Sequence, residues 1–332
     1  MKTSFIKLFV LTALFMSAVF AGGVQAEAAA TSFQQSEIIV NVIGGRIRSE
    51  PNLTAKILKE MKVGSRLPLV EENGGWYKVE VAQPDEAETG AYGWISKTIS
   101  TKLTDSDPGP IFAEIAEKYF QRESMNFQTA ESLMEFLESA ADDSKTYEIG
   151  GNLRLKRLLA LSIAISKIGF DQSEQPPFKA FLSKYRDDVI YHEPAGIWIV
   201  RSSKFWELHQ RYQKFEIGEE IAWEASKNPL PGECEGYIVC HLNYLRVTGG
   251  EYLNFYPNGK YTRLALKDLE NSLQPMVDDL PQKVSYTTAS DISDRADFNK
   301  ILTEMRTIIS KTPYIEKNEV LTQIDKIAEG FR

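Results

Sequence analysis

The pattern of apolar and polar positions changes near residue 106. Before it, short segments such as SEIIVNV, RLPLVEE and GWYKVEV alternate apolar and polar residues, and the turn sequences GG, EPN and NGG separate them. Period-two alternation between tight turns predicts a small all-β barrel. After it, nearly every segment repeats its apolar residues with helical period, which predicts an all-α region built as a helical bundle or a solenoid-like stack.

The boundary between the two patterns is the run Ser106-Asp107-Pro108-Gly109-Pro110, whose prolines and glycine resist both helix and strand. We therefore predict a barrel over residues 36–104, a linker over 105–110 and a separate all-helical domain over 111–332. A chain of 332 residues is long enough to bury two modest cores.

Three stretches of the β region carry a family resemblance. They are Ile47-Arg48-Ser49-Glu50-Pro51, Gly74-Gly75-Trp76-Tyr77-Lys78-Val79 and Gly93-Trp94-Ile95. In this order and spacing they resemble the bacterial SH3-type (SH3b) domain. Two departures are Gly45-Arg46, where the family usually has leucine-asparagine, and an insertion from Ala82 to Ala91. The resemblance implies an SH3-like barrel that recognises a cell-wall or envelope ligand such as peptidoglycan.

Candidate ligand-binding residues of the barrel are Arg48, Trp76, Tyr92 and Trp94. Aromatic rings offer flat apolar faces with polar edges, which suit sugar rings or peptide stems. Because strand residues alternate between faces, either Trp76 or Tyr77 should point into the core. For Trp76 and Trp94, core packing is the favoured interpretation and ligand contact the alternative. For Arg48, bracing the barrel is favoured over binding.

The helical region contains several apolar stripes. One begins after Pro110, and a C-terminal hairpin pairs the stripe from Phe298 to Ile309 with that from Val320 to Phe331, with Thr312-Pro313 ending its first helix. Residues 251–266 resemble the turn between helices in tetratricopeptide-type proteins. The resemblance favours solenoid-like stacking, against a single irregular bundle, for a domain that contacts a partner.

Cys234 and Cys240 are the only cysteines. A cysteine peptidase is disfavoured because His241 is the only later histidine, and a zinc site because at most three ligands are available. A disulfide is the favoured interpretation, with free thiols as the alternative. It requires Cys234 to lie outside the helix, because six residues of helix rise about 9 Å, beyond the roughly 7 Å limit for a bridge.

Acidic residues offer only weak catalytic candidates. Glu123-Ser124 resembles the glutamate-serine pair of lytic transglycosylases, but the rest of that signature is missing, so a solvated helix end is favoured. Glu193 lies beside His192 and near Trp198 in sequence. A buried ion pair or hydrogen-bond brace is its favoured role. We predict no catalytic residue, metal ligand or cofactor.

The N-terminus and the charge indicate compartment and partners. Lys2 and Lys7 precede an apolar run to Ala21 and a small-residue site ending at Ala26, which predicts a signal peptide over residues 1–26 and a periplasmic or extracellular protein. Its loss takes the formal charge from -8 to -10. This acidity disfavours nucleic acid, and no stable membrane insertion is expected after cleavage.

These observations favour an exported, non-enzymatic binding or scaffold protein with peptidoglycan or an envelope protein as partner. The alternative is a peptidoglycan-active hydrolase or lyase with an unrecognised carboxylate site in the helical region.

Overall fold

A seven-stranded antiparallel sheet precedes a set of helices in the computed structural model, which describes residues 36–81, 91–103, 107–122, 124–287 and 292–331. This order confirms the predicted fold class. The predicted signal peptide, most of the predicted insertion and Glu123 lie outside the described residues. Within the described part of the chain, no helix combines the length and apolarity needed to cross a membrane.

The barrel sheet is built from short strands joined by tight turns. They are β1 (Glu37–Val40), β2 (Gly45–Arg48), β3 (Ile57–Met61), β4 (Arg66–Asn73), β5 (Trp76–Glu80), β6 (Tyr92–Ser96) and β7 (Ser100–Leu103). Their order in the sheet is β3-β2-β6-β5-β4-β1-β7. Alternate residues fill the barrel core: Ile38, Val40, Ile47, Leu67, Tyr77, Val79, Val81 and Ile95.

The second region is helical apart from one hairpin. Its helices are α1 (Gly109–Phe120), α2 (Phe127–Asp143), α3 (Tyr147–Ile165), α4 (Phe178–Lys184), α5 (Ser202–Tyr212), α6 (Glu216–Lys227), α7 (Ile238–Leu245), α8 (Glu251–Phe255), α9 (Thr262–Asp279), α10 (Ile292–Ser310) and α11 (Lys317–Gly330). The hairpin pairs β8 (Val189–His192) with β9 (Ile197–Val200). A π-helical segment, Arg246–Gly250, joins α7 to α8.

The barrel packs directly on the first helices. Ile39 of β1 faces away from the barrel core and is buried with α1 and α2 residues in the larger helical core. The backbone N–H of Ile43 donates a hydrogen bond of 2.7 Å to the Tyr119 hydroxyl. Arg66 and Asp143 form an ion pair of 2.7 Å across the same boundary. These contacts join the barrel to the helices through apolar and polar groups together.

The helical region contains two cores. The first is centred on α2 and α3, whose Leu153 and Leu161 are fully buried, and the second on α9 to α11. Trp206 of α5 packs against both. The Glu148 carboxylate accepts hydrogen bonds of 2.9 Å from the first two backbone N–H groups of α6, which satisfies donors that a helix start otherwise leaves open.

The turn between α8 and α9 is held by a carboxylate from α6. The Tyr252 hydroxyl donates a hydrogen bond of 2.6 Å to Glu219 and accepts one of 3.0 Å from the backbone N–H of Tyr261. The Tyr261 ring stacks on Trp223 at 5.1 Å. These contacts fix the turn to α6, and the hydrogen bond between Tyr252 and Glu219 connects residues that are 33 positions apart in the sequence.

Candidate functional site

The aromatic residues of β5 and β6 alternate between the core and the outer face of the sheet. Tyr77 and Ile95 are buried in the barrel core, whereas Trp76 and Trp94 are half-buried on the outer face and Tyr92 is 49% exposed. The favoured interpretation of both tryptophans as core residues is therefore wrong. Because consecutive residues of a strand point to opposite faces of the sheet, Tyr77 points into the core and its neighbour Trp76 points outward.

Strand register gathers five side chains on this outer face. Trp94 lies opposite Lys78 on one side and opposite Arg48 on the other. The Lys78 ammonium lies 5.5 Å from the Tyr92 ring centroid and 5.9 Å from that of Trp94. Trp76 lies on the same side of the sheet but makes no ring contact among the described residues. We call this surface the aromatic face: Arg48, Trp76, Lys78, Tyr92 and Trp94.

Arg48 braces the barrel, as the sequence predicted. One terminal nitrogen of its guanidinium donates a hydrogen bond of 2.8 Å to the carbonyl of Ala55 in the loop between β2 and β3. A guanidinium has five N–H donors, and this is the single hydrogen bond of the Arg48 side chain among the described residues. Arg48 therefore fixes the loop while keeping donors at the border of the aromatic face.

Lys78 was missed in the analysis of the sequence. Its ammonium lies near the rings of both Tyr92 and Trp94. It forms an ion pair of 3.7 Å with Glu71, whose side chain is 53% exposed. A cation near aromatic ring faces is attracted by their electron density. The signal was available, because Lys78 follows Trp76 by two positions and must share its face of the strand.

A glycine allows β2 and β6 to lie close together beside Trp94. A Cβ atom on Gly93 would overlap the Ile47 side chain and lie 3.2 Å from the Arg48 carbonyl oxygen. On the outer side, Ile57 of β3 lies opposite Arg48 and is 41% exposed. The aromatic face thus continues onto an apolar edge of the sheet.

A charged cluster centred on Glu72 also stabilises the sheet. Glu72 at the end of β4 accepts hydrogen bonds of 2.7 Å from Lys102 and 2.8 Å from Lys97. These bonds, that from Lys102 first, lower the pKa of Glu72 to about 2. The Lys97 ammonium also lies 4.8 Å from the Tyr77 ring centroid. The cluster therefore ties β4, β7 and the turn after β6 together.

Cys234 and Cys240 form the predicted disulfide, with Cα atoms 5.4 Å apart. Cys234 precedes α7, as the geometry required, and Glu235 and Gly236 adopt positive φ angles of 44° and 75° to turn the chain into the helix. Among the described residues, no group of three or more potential metal ligands is found. The pair acts as a structural crosslink.

Glu193 does not occupy the buried position that was favoured for it. It lies in a 3-10 turn at the tip of the β8–β9 hairpin, where its side chain is exposed and makes no ion pair with any described residue. The prediction of a buried brace is therefore wrong. The four residues between β8 and β9, Glu193 to Gly196, are all exposed, so the Glu193 carboxylate faces solvent rather than a cleft.

Comparison with known proteins finds a match for one part of the chain. Residues 43–100 match the family model of the bacterial SH3 domain, a stretch of fewer than a fifth of the 332 residues that contains the whole aromatic face. The tetratricopeptide-like resemblance of residues 251–266 is not confirmed. Searches of curated proteins and of solved structures found no match to the chain. The barrel is therefore similar to the bacterial SH3 domain, a similarity that suggests a cell-wall binding module.

Proposed function

We propose that this is an exported, non-enzymatic envelope protein whose barrel binds peptidoglycan through the aromatic face, while its helical region contacts a partner. The family match supports a cell-wall ligand. The observation that carries the choice of surface is that the Lys78 ammonium lies within 6 Å of the ring centroids of both Trp94 and Tyr92, outside the barrel core.

The chemistry of this face fits a polymer of sugars and short peptides. The half-exposed rings of Trp94 and Tyr92 present apolar surface for the C–H faces of sugars or aliphatic peptide groups. Lys78 and Arg48 add charge-assisted donors for carboxylates or amide carbonyls. Because the side chains stand on paired strands, little conformational entropy is lost when a ligand is bound.

The contacts between the barrel and the helices fix the position of the barrel in the protein. Its β1 strand buries Ile39 against α1 and α2, so the barrel is held in place rather than suspended on a flexible tether. A ligand on the aromatic face would therefore hold the helical region at the cell wall in a defined orientation.

Co-sedimentation of the purified full chain with insoluble peptidoglycan tests this proposal. The wild-type protein should pellet, and Tyr92→Ala should reduce the pelleted fraction. Tyr147→Ala is the matched control, because Tyr147 is an even more exposed tyrosine, 63% against 49%, on the helical region. Equal losses in both variants, or no pelleting of the wild type, would refute the aromatic face as the wall-binding surface.

A further inference from the structure

A cavity of about 380 Å³ lies between α2, α3 and α5, and four basic side chains line it together with four acidic ones. Arg154 and Arg157 contribute from α3, and Lys204 and Arg211 from α5. Their spacings of three and seven residues place each pair on one face of its helix. Leu158 and Leu208 line the same space, and we call it the basic cavity.

The acidic partners of these residues lie nearer the solvent. Arg154 is ion-paired with Asp142, and Arg157 donates a hydrogen bond of 3.0 Å to Glu138. The two arginine side chains are 20% and 17% exposed, whereas the two acids are 67% and 61% exposed. The guanidinium groups thus lie deeper, and the carboxylates form the rim.

Two arginines that line the basic cavity keep unused hydrogen-bond donors. Arg157 binds Glu138 through Nε, and its two terminal nitrogens make no hydrogen bond to any described residue. Both terminal nitrogens are accessible to solvent. Arg211 has no carboxylate within ion-pair distance among the described residues and lies instead 5.5 Å from the Tyr212 ring centroid. The cavity therefore offers two guanidinium groups to an incoming anion.

Further acids define which anion fits. Asp188 and Glu207, 3.3 Å and 3.7 Å from the Lys204 ammonium, also line the space, so the lining carries four acidic and four basic side chains. A multiply charged anion would be repelled by the rim. A molecule with one carboxylate and a nearby ammonium would pair with both signs of charge, and a guanidinium fork matches a carboxylate in shape.

We propose that the basic cavity binds a short peptide that carries ammonium groups, and that it holds the peptide by its terminal carboxylate. Its volume is at the lower end of the roughly 300–1,000 Å³ range of small-ligand sites, which suits a di- or tripeptide. Arg157 and Arg211 hold the carboxylate, the rim acids hold the ammonium, and Leu158 and Leu208 contact the aliphatic part. This site is independent of the aromatic face and of the ligand proposed for the barrel.

Isothermal titration calorimetry of the full chain with three probes tests the proposal. The probes are alanyl-lysine, the same dipeptide with an amidated carboxyl group, and inorganic phosphate. We expect alanyl-lysine to bind. Its amide should bind at least about tenfold more weakly, because a charge-assisted contact is lost. No binding of alanyl-lysine, or equal binding of its amide, would overturn the proposal. Tighter binding of phosphate would overturn the assignment to a peptide.

Variants locate the site. Arg157→Gln and Arg211→Gln should each weaken alanyl-lysine binding by about tenfold. Arg211 has no acidic partner to lose, so Arg211→Gln keeps the test valid if Arg157→Gln fails to fold. Arg306→Gln is the matched control, because Arg306 also pairs with a helix carboxylate, Asp325, but lies on α10. Wild-type affinity in both cavity variants would refute the site.

Discussion

The aromatic face of the barrel and the basic cavity of the helical region are assembled in different ways. The aromatic face collects residues two apart on β5 and β6, which pair side by side, so one strand period places nearly all of it. The basic cavity collects residues from α2, α3 and α5. The order of these helices along the chain does not determine which of their faces pack together. Strand alternation therefore predicts the first surface, whereas the second depends on helix packing.

Adjacent isoleucines in β1 offer the largest test of how the two regions are joined. Ile39 is buried with the helices, and Ile38 is buried in the barrel core. Ile39→Ala should lower the free energy of unfolding by about 2–5 kcal/mol, because a buried side chain is replaced by a cavity. The helical circular dichroism transition in urea should shift with it.

Ile38→Ala is the matched control for Ile39→Ala. Both side chains are fully buried, so the total loss should be similar, but the fluorescence of the barrel tryptophans should respond more than the helical signal. A helical transition that Ile39→Ala leaves unchanged would show that the barrel and the helices unfold independently.

Much of the fold could be predicted from sequence because it follows from local rules. Pro110 in the first turn of α1 and Thr312-Pro313 after α10 mark helix ends through the geometry of proline. Proline and glycine before Cys234 allowed the disulfide geometry to be anticipated. These features depend on neighbours in sequence.

The errors have a common physical cause. Trp76 and Tyr77 are both plausible core residues by composition, and only the register of β5 against β4 and β6 decides that Tyr77 points inward. The neighbours His192 and Trp198 favour a buried brace for Glu193, but the tip of the hairpin that contains it is exposed to solvent. Both outcomes depend on tertiary placement.

Reduction of the disulfide is expected to have the next largest effect. In the chain-entropy model, a loop this short stabilises the folded protein by about 2 kcal/mol. The double variant Cys234→Ser, Cys240→Ser should lose that amount in urea unfolding. Two reactive thiols in the denatured, unreduced wild type would contradict the crosslink.

Acid should weaken the helical region first. His209 of α5 is almost fully buried and hydrogen-bonded to the Tyr256 hydroxyl at 2.9 Å, and burial lowers the pKa of this histidine below its ordinary value of 6.5. The unfolded chain then binds a proton that the folded chain resists, so this stability is present above about pH 6.5 and is lost as the pH falls through the folded-state pKa.

Thermal unfolding between pH 5 and pH 8 measures this dependence. His209→Gln should flatten the slope of melting temperature against pH. His241→Gln is the comparison, because burial lowers the pKa of His241 as well. An unchanged slope in His209→Gln would assign the effect to other groups.

The barrel should respond to acid in a lower pH range, with the smallest effect. The pKa of Glu72 is lowered to about 2 from its ordinary 4.5, so its contribution is present above about pH 4.5 and is lost as the pH falls through 2. Glu72→Gln should lower barrel stability slightly at pH 7 and by a smaller amount at pH 2. Glu60→Gln, which removes a glutamate with one ion-pair partner, Arg46, is the control. Equal effects in the two variants would contradict the role of the two lysines.

The most direct test of the account is a binding isotherm of the full chain on insoluble peptidoglycan, compared between wild type and Trp94→Ala. Trp94 lies opposite both Lys78 and Arg48, so its ring is central to the aromatic face. Loss of a central aromatic contact should weaken binding by about tenfold without unfolding the barrel, because Trp94 lies outside the barrel core. Saturable binding by the wild type with that loss would support the account. Equal isotherms for the two proteins would contradict it.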